Sequence, residues 1–278
     1  MKKKVWFITG ASKGLGLSLV KTLLSQGYSV AATSRNIQDL VKAAGTASND
    51  FLPLIMDLHR EESVEQALHA TIQKFGNIDV VVNNAGYGLA GALEELTDAE
   101  ARANFDVNVF GSLNVIRKVL PHLRAQQSGH IFNIASVGGF TGSFPGFGIY
   151  CATKFAVHGL SESLAAEVKP FNILVTIVSP GYFRTNFLDA ASLNVPRYPM
   201  DAYKSVREIQ TLHQDIYNGN QTGDPDKASD VMIQVAGRKD APLHLFLGSD
   251  AYQFAEQKIK AVQEDMDAVK ALATATGF

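Results

Sequence analysis

The most constraining stretch lies at the N-terminus, where a short apolar run from Val5 to Thr9 leads into Gly10-Ala11-Ser12-Lys13-Gly14-Leu15-Gly16. Leu17, Val20, Leu23 and Leu24 then recur at helical spacing until Gln26-Gly27. The pattern reads as strand, glycine turn, helix. Backbone N–H groups in such a turn can approach an anion at the helix N-terminus, where the helix dipole favours negative charge. The spacing G-x-x-x-G-x-G differs from the G-x-G-x-x-G of many dinucleotide-binding units, and an ordinary glycine-rich connection is the alternative.

Apolar strand-like runs follow at residues 28–33, 51–58, 78–82, 130–135 and 173–178, with helical patterns between them. This alternation implies an α/β fold: a Rossmann-type, doubly wound parallel sheet with helices on both faces, in three layers and one domain. The second strand ends at Ser34-Arg35-Asn36, where a dinucleotide-binding unit commonly places an acid for the ribose hydroxyls. Two cations, Arg35 and the turn's Lys13, favour a 2′-phosphate and hence NADP(H) over NAD(H); a solvated arginine at a strand end is the alternative. Asn108 falls inside a helical pattern running from about Thr97 to Phe110 or on to Leu123, an unfavourable place for asparagine. Residues 182–226 lose regular pattern and suggest a substrate loop or lid. A short strand at 243–247 and an amphipathic helix over 250–272 close the chain.

Tyr150 and Lys154 stand four apart, on one face of a helix, after a stretch that begins at Ser136. A phenol beside a fixed ammonium makes a proton donor, because a nearby cation favours the phenolate. Ser136, at a strand end, could hydrogen-bond the same substrate oxygen. Taken alone, Y-x-x-x-K is a weak pattern.

Of the 278 residues 46% are hydrophobic and the formal net charge is −2, which leaves no basic footprint for nucleic acid. The single cysteine, Cys151, excludes an internal disulfide framework and suits a reducing compartment. Lys2-Lys3-Lys4 precedes an apolar run too short for a signal sequence, and no segment is long enough to span a membrane. A cytoplasmic location is the resulting expectation. The histidines show no tight metal-binding spacing, so no metal is expected.

Together the motifs resemble the short-chain dehydrogenase/reductase family, and the likeness extends to about residue 248. They are T-G-x-x-x-G-x-G at Thr9–Gly16, N-N-A-G at Asn83–Gly86, Y-x-x-x-K at Tyr150–Lys154, and Pro180-Gly181 with Thr185 downstream. Within the family the chain looks like the single-domain branch similar to 17β-hydroxysteroid and retinol dehydrogenases, whose bacterial members are often NADPH-dependent carbonyl reductases. Ser136 lies 14 positions before Tyr150, one more than the branch implies, and Ser143 is a second candidate for the serine role.

The resemblance implies that Tyr150 exchanges a proton with the substrate oxygen while Ser136 hydrogen-bonds it. Lys154 would lower the tyrosine pKa and hold the nicotinamide ribose. Asn108 would bind a water leading from Lys154 to solvent, through its side chain or a helix bend. Cofactor contacts would come from Gly10, Ser12, Lys13, Gly14, Leu15, Gly16, Ser34, Arg35, Asp57, Leu58, Asn84, Ala85, Gly86, Tyr150, Lys154, Pro180, Gly181 and Thr185, with Asp57 at the adenine unless it is a plain turn acid. Asn83 would tie neighbouring strands together. Gly138, Phe144, Phe147, Tyr182, Phe183, Phe187 and Leu188 are candidates for an apolar substrate pocket, with Phe140, Pro145 and Ile149 nearby. The implied substrate is a carbonyl or alcohol of small-molecule size, and the implied assembly a homodimer or homotetramer. Oxidation of alcohols, or cofactor sensing without catalysis, are the competing functions.

Overall fold

The structure, a computed structural model, describes residues 3–278; Lys2, first of the lysines before the opening strand, lies outside them. Its elements follow the alternation read from the sequence. The first half contains β1 (Val5–Ile8), α1 (Gly14–Ser25), β2 (Ser29–Ser34), α2 (Ile37–Ala44), β3 (Phe51–Ile55), α3 (Glu61–Phe75), β4 (Val80–Asn83) and the short β5 (Gly88–Leu89). Next come α4 (Asp98–Phe105), α5 (Ser112–Gln126), β6 (Gly129–Ile134), α6 (Gly148–Val168) and β7 (Ile173–Pro180). The chain ends with β8 (Leu193–Asn194), α7 (Lys204–Thr211), α8 (Pro225–Ala236), β9 (His244–Leu247) and α9 (Ser249–Ala273).

Seven strands form one parallel sheet in the order β3-β2-β1-β4-β6-β7-β9. Successive side chains of a strand point to opposite faces, and β1 shows the result. Trp6 and Ile8 enter a core with Leu19, Val20 and Leu23 of α1 and Met232 and Ile233 of α8. Phe7 enters the other, with Val64 and Leu68 of α3, Val115 and Val119 of α5 and Leu164 of α6. Strand order reverses direction across β1 and β4, and in such sheets a crevice opens beyond the carboxyl ends of the strands at that point.

The helical stretch around Asn108 is not uniform. Thr97 caps α4 through a reciprocal capping box with Glu100. Residues Asp106–Gly111 then form a π-helical turn before α5 begins. The segment after β7 is more ordered than the sequence suggests. It holds a 3₁₀ turn at Asn186–Leu188, β8 paired with β5, and α7 running into a second π turn at Leu212–Tyr217. Buried Glu95 secures this segment to the body by accepting from the N–H groups of Ala92 and Met200 and pairing with Arg207 on α7 at 2.5 Å. Burial alone would raise the Glu95 pKa, but these bonds together hold its carboxyl below the ordinary range.

Candidate active site

A cavity of about 1160 Å³ opens at the carboxyl ends of the strands, and nearly every residue proposed from the sequence lines it. Tyr150 lies in the first turn of α6 and Lys154 one turn later; they are 9% and 5% exposed. Lys154 Nζ donates to the Ile134 carbonyl at 2.8 Å, which fixes the ammonium against the end of β6, and sits 5.8 Å from the centre of the Tyr150 ring. Ser136 follows β6 directly. Its hydroxyl oxygen accepts from the Gly138 N–H at 3.0 Å, and its side chain reaches the Tyr150 phenol. A side chain on Gly138 would press on Cys151, Ser136 and Tyr150, so glycine there keeps the reactive face open. Ser143, the second candidate serine, is not among the residues lining the cavity.

One electrostatic expectation is corrected. Burial pushes the Tyr150 phenol well above its ordinary pKa, with Ser136 pulling only partly the other way. Burial, rather than a neighbouring charge, sets the direction of the shift. Burial disfavours the Lys154 charge too, lowering its pKa to about 8. Desolvation therefore dominates both groups.

The glycine turn fits a nucleotide phosphate. Gly10 and Gly14 hold φ of +63° and +60°, and the turn lines the cavity at the start of α1. That helix has no side-chain cap and no acid in its first turn, so its leading N–H groups remain for an anion. Asn84 braces the turn from the end of β4, its Nδ2 donating to the carbonyls of Thr9 and Gly10 at 2.9 Å each. Gly16 is a correction: it is absent from the cavity wall. A Cβ there would stand 2.4 Å from Asn84 Nδ2, so this glycine serves the close packing of turn on strand. Asn83 ties strands as the resemblance implies, donating to Asn133 on β6 at 2.8 Å.

Beyond the ends of β2 and β3, Ser34, Arg35, Asp57 and Leu58 line the cavity, together with Asn36 and Asp39. Arg35 is exposed there. Lys13 points elsewhere than expected: its ammonium donates to the Ala191 carbonyl, in the segment after β7, at 3.0 Å. Asp57 does line the cavity, while one carboxylate oxygen accepts from the His59 N–H at 3.0 Å, so it is also a turn acid.

Asn108 sits within the π turn, behind the residues that line the cavity. It is 1% exposed. Its Oδ1 accepts from the Tyr87 N–H at 3.0 Å, and its Nδ2 donates to the Tyr87 carbonyl and to Thr153 Oγ1, each at 3.1 Å. These bonds use both Nδ2 hydrogens and one of the two acceptor positions of Oδ1. The π turn around it is a second route by which Asn108 can shape the Lys154 surroundings.

On the substrate side, Gly138, Phe144, Phe147, Tyr182, Phe183, Phe187 and Leu188 all line the cavity. The Phe187 and Phe147 rings stand 5.6 and 6.5 Å from Tyr150. His213, which no sequence motif marks, comes from the π turn at Leu212–Tyr217. Its Nδ1 bonds the Ile209 carbonyl at 2.8 Å and so carries the hydrogen; Nε2 then accepts from the Tyr182 hydroxyl at 2.9 Å. Only the fold brings these residues together. Burial pushes the Tyr182 phenol up to about 12 and the Cys151 thiol up to about 11, leaving Cys151 protonated filler, as read from the sequence.

The fold also assembles a group that spacing could not reveal: His158, Glu162 and His244 have potential ligand atoms within 4.8 Å of one another. His158 is already engaged. Its Nε2 is 3.0 Å from Ser179 Oγ, its ring also reaches the Ser136 backbone, and burial lowers its pKa to about 4.

Comparison with known proteins agrees with this geometry. The short chain dehydrogenase family pattern matches residues 4–195. The oxidoreductase BOA17 of Botryotinia fuckeliana is 37% identical over 254 residues, 91% of each chain. The 3-ketodihydrosphingosine reductase of Bacteroides thetaiotaomicron is 35% identical over 250 residues, 89% of each. The crystal structure of a short-chain dehydrogenase from Streptomyces avermitilis covers both chains fully, with a TM-score of 0.90 at 34% identity. The chain belongs to the short-chain dehydrogenase/reductase family and is an oxidoreductase of that type. No helix among the described residues is long and apolar enough to cross a membrane.

Proposed function

We propose that the protein is an NADP(H)-dependent carbonyl reductase acting on neutral, apolar or aromatic ketones and aldehydes. The observation that carries this reading is the convergence of Ser136, Tyr150 and Lys154 on a cavity whose substrate side is aromatic. A nicotinamide dinucleotide supplies the hydride when bound. The turn at Gly10–Leu15 would hold its phosphates, Asp57, Leu58 and Asn84–Gly86 the adenosine and the cofactor path, and Lys154, Pro180, Gly181 and Thr185 the nicotinamide end. Arg35 favours a 2′-phosphate; Lys13, tied to the lid, contributes less than the sequence suggests.

In reduction, the Tyr150 hydroxyl gives its proton to the carbonyl oxygen of the substrate, and Ser136 donates a hydrogen bond to that oxygen as charge develops there. Burial keeps the Tyr150 phenol protonated, the form needed for proton donation. Lys154, anchored on Ile134, positions positive charge beside the reacting groups. The name of the Bacteroides relative, a ketone reductase, is consistent with this reaction class. The aromatic wall gives grip without charge, which favours uncharged substrates and a broad range of them. Phe110 and Phe155, exposed on the segments that carry Asn108 and Tyr150, suit a homodimer or homotetramer formed through those faces.

The test is loss of NADPH absorbance with an aryl ketone, run in parallel with NADH and with a carboxylate-bearing ketone. The expected result is turnover with NADPH and the neutral ketone, reduced by roughly 10²- to 10⁴-fold in Tyr150→Phe. Full-speed reduction by Tyr150→Phe, or preference for the acidic ketone, would overturn the assignment.

A further inference from the structure

The helix α9 has a foot and a free shaft. Ala251 and Ala255 are buried at the foot, and Phe254 packs edge-on against Phe144 of the cavity wall at 5.4 Å. From Ile259 onward every residue of the helix is exposed. A helix of about fifteen residues standing alone in water is marginal.

The shaft carries an ordered apolar seam. Ile259, Val262, Met266, Val269 and Ala273 follow one another at alternating steps of three and four. That is the spacing of the apolar positions of two successive heptads, and it keeps one stripe facing a partner helix. Ile259, Val262, Met266 and Val269 are 59%, 39%, 60% and 51% exposed. The flanks carry Glu256, Lys258, Asp265 and Lys270. A second copy of the helix meets opposite charge in either orientation: Lys270 reaches Asp265 of a parallel copy or Glu256 of an antiparallel one. The shaft from Glu256 to Leu272 has four acids against three lysines, unlike the lysine- and arginine-rich helices that lie on anionic membranes.

We infer that α9 pairs with α9 of a second copy of this chain in a two-stranded coiled coil, an association surface separate from the faces that carry Phe110 and Phe155. Burying a seam methionine stabilises by roughly 1.5–3 kcal/mol, which corresponds to tenfold or more in a dissociation constant.

The experiment is sedimentation velocity of the full-length protein over a concentration series, for wild type and three variants. Met266→Glu, at the centre of the seam, is expected to raise the dissociation constant of one association step by at least roughly tenfold. Lys270→Glu is expected to weaken the same step by less, with an effect that shrinks at high salt. Ala271→Glu places the same charge on the outer face of the same turn and is expected to change nothing. All three sites lie on the exposed shaft, and circular dichroism of each variant checks that the body remains folded. Identical association of wild type and Met266→Glu would overturn the inference. So would wild type that co-sediments with phosphatidylserine vesicles through this helix while showing no association step that Met266→Glu weakens.

Discussion

Replacing Lys154 by Met tests the electrostatics of the site without needing a substrate. Burial lowers the lysine pKa from 10.5 to about 8 in the folded protein. At about 1.4 kcal/mol per pKa unit, holding the charge in the folded state costs about 3 kcal/mol wherever both states are protonated, that is below pH 8. Between pH 8 and 10.5 the unfolded chain binds the proton and the folded one does not. Stability from this group therefore rises with pH through that window. The methionine variant escapes the cost but loses the bond to the Ile134 carbonyl, about 1 kcal/mol. It should be more stable than wild type by about 2 kcal/mol at pH 7, and that advantage should shrink by about 2 kcal/mol by pH 9.5. Urea unfolding of both proteins from pH 6.5 to 9.5 gives the difference directly, since groups common to both largely cancel. An offset independent of pH would refute the reasoning, because Lys154 would then not lose its proton near 8.

Gly16→Ala drives a methyl group into Asn84 Nδ2 and the Gly10 carbonyl, so it should cost roughly 2–5 kcal/mol and lower Tm by roughly 5–15 °C; an unchanged melting curve would show that the turn yields freely. Arg35→Glu removes the cation and supplies the acid that a ribose hydroxyl prefers. It should lower kcat/KM for NADPH by roughly tenfold to a hundredfold while sparing NADH. Equal losses with both cofactors would show that Arg35 does not select between them.

Much of the fold was legible because its signals are local. The opening strand, glycine turn and helix appear as an uninterrupted pattern, and α3 runs from Glu61 to Phe75, as its periodicity requires. Asn108 stood out as a misplaced helix residue, and the π turn is what it marks. The alignment of Ser136 with Tyr150 was also accessible, since each sits at the end of an element whose limits can be read. What escaped depends on contacts distant in the chain. His213 reaches Tyr182 across 31 positions, Lys13 meets Ala191 across 178, and Arg207 reaches Glu95 across 112. No local pattern encodes such pairings. The burial-driven rise of the Tyr150 pKa escapes for a related reason: a sequence displays neighbouring charges but not the depth at which they are buried.

The π turn at Asp106–Gly111 has a consequence for how the long helical stretch is assembled. Its wider ring of backbone bonds accommodates an extra residue relative to α geometry, and each residue of an α-helix turns the face by about 100°. The turn therefore works as a phase shifter. It lets α4 hold Asn104 inward while α5 delivers Val115, Ile116, Val119 and Leu123 to the sheet. Deleting one residue from it would leave both helices intact as helices but put them out of step, swinging either Asn108 away from Tyr87 and Thr153 or the apolar face of α5 away from the core. Catalytic alignment and core packing are thus set by one shared offset, and neither can be retuned here without moving the other.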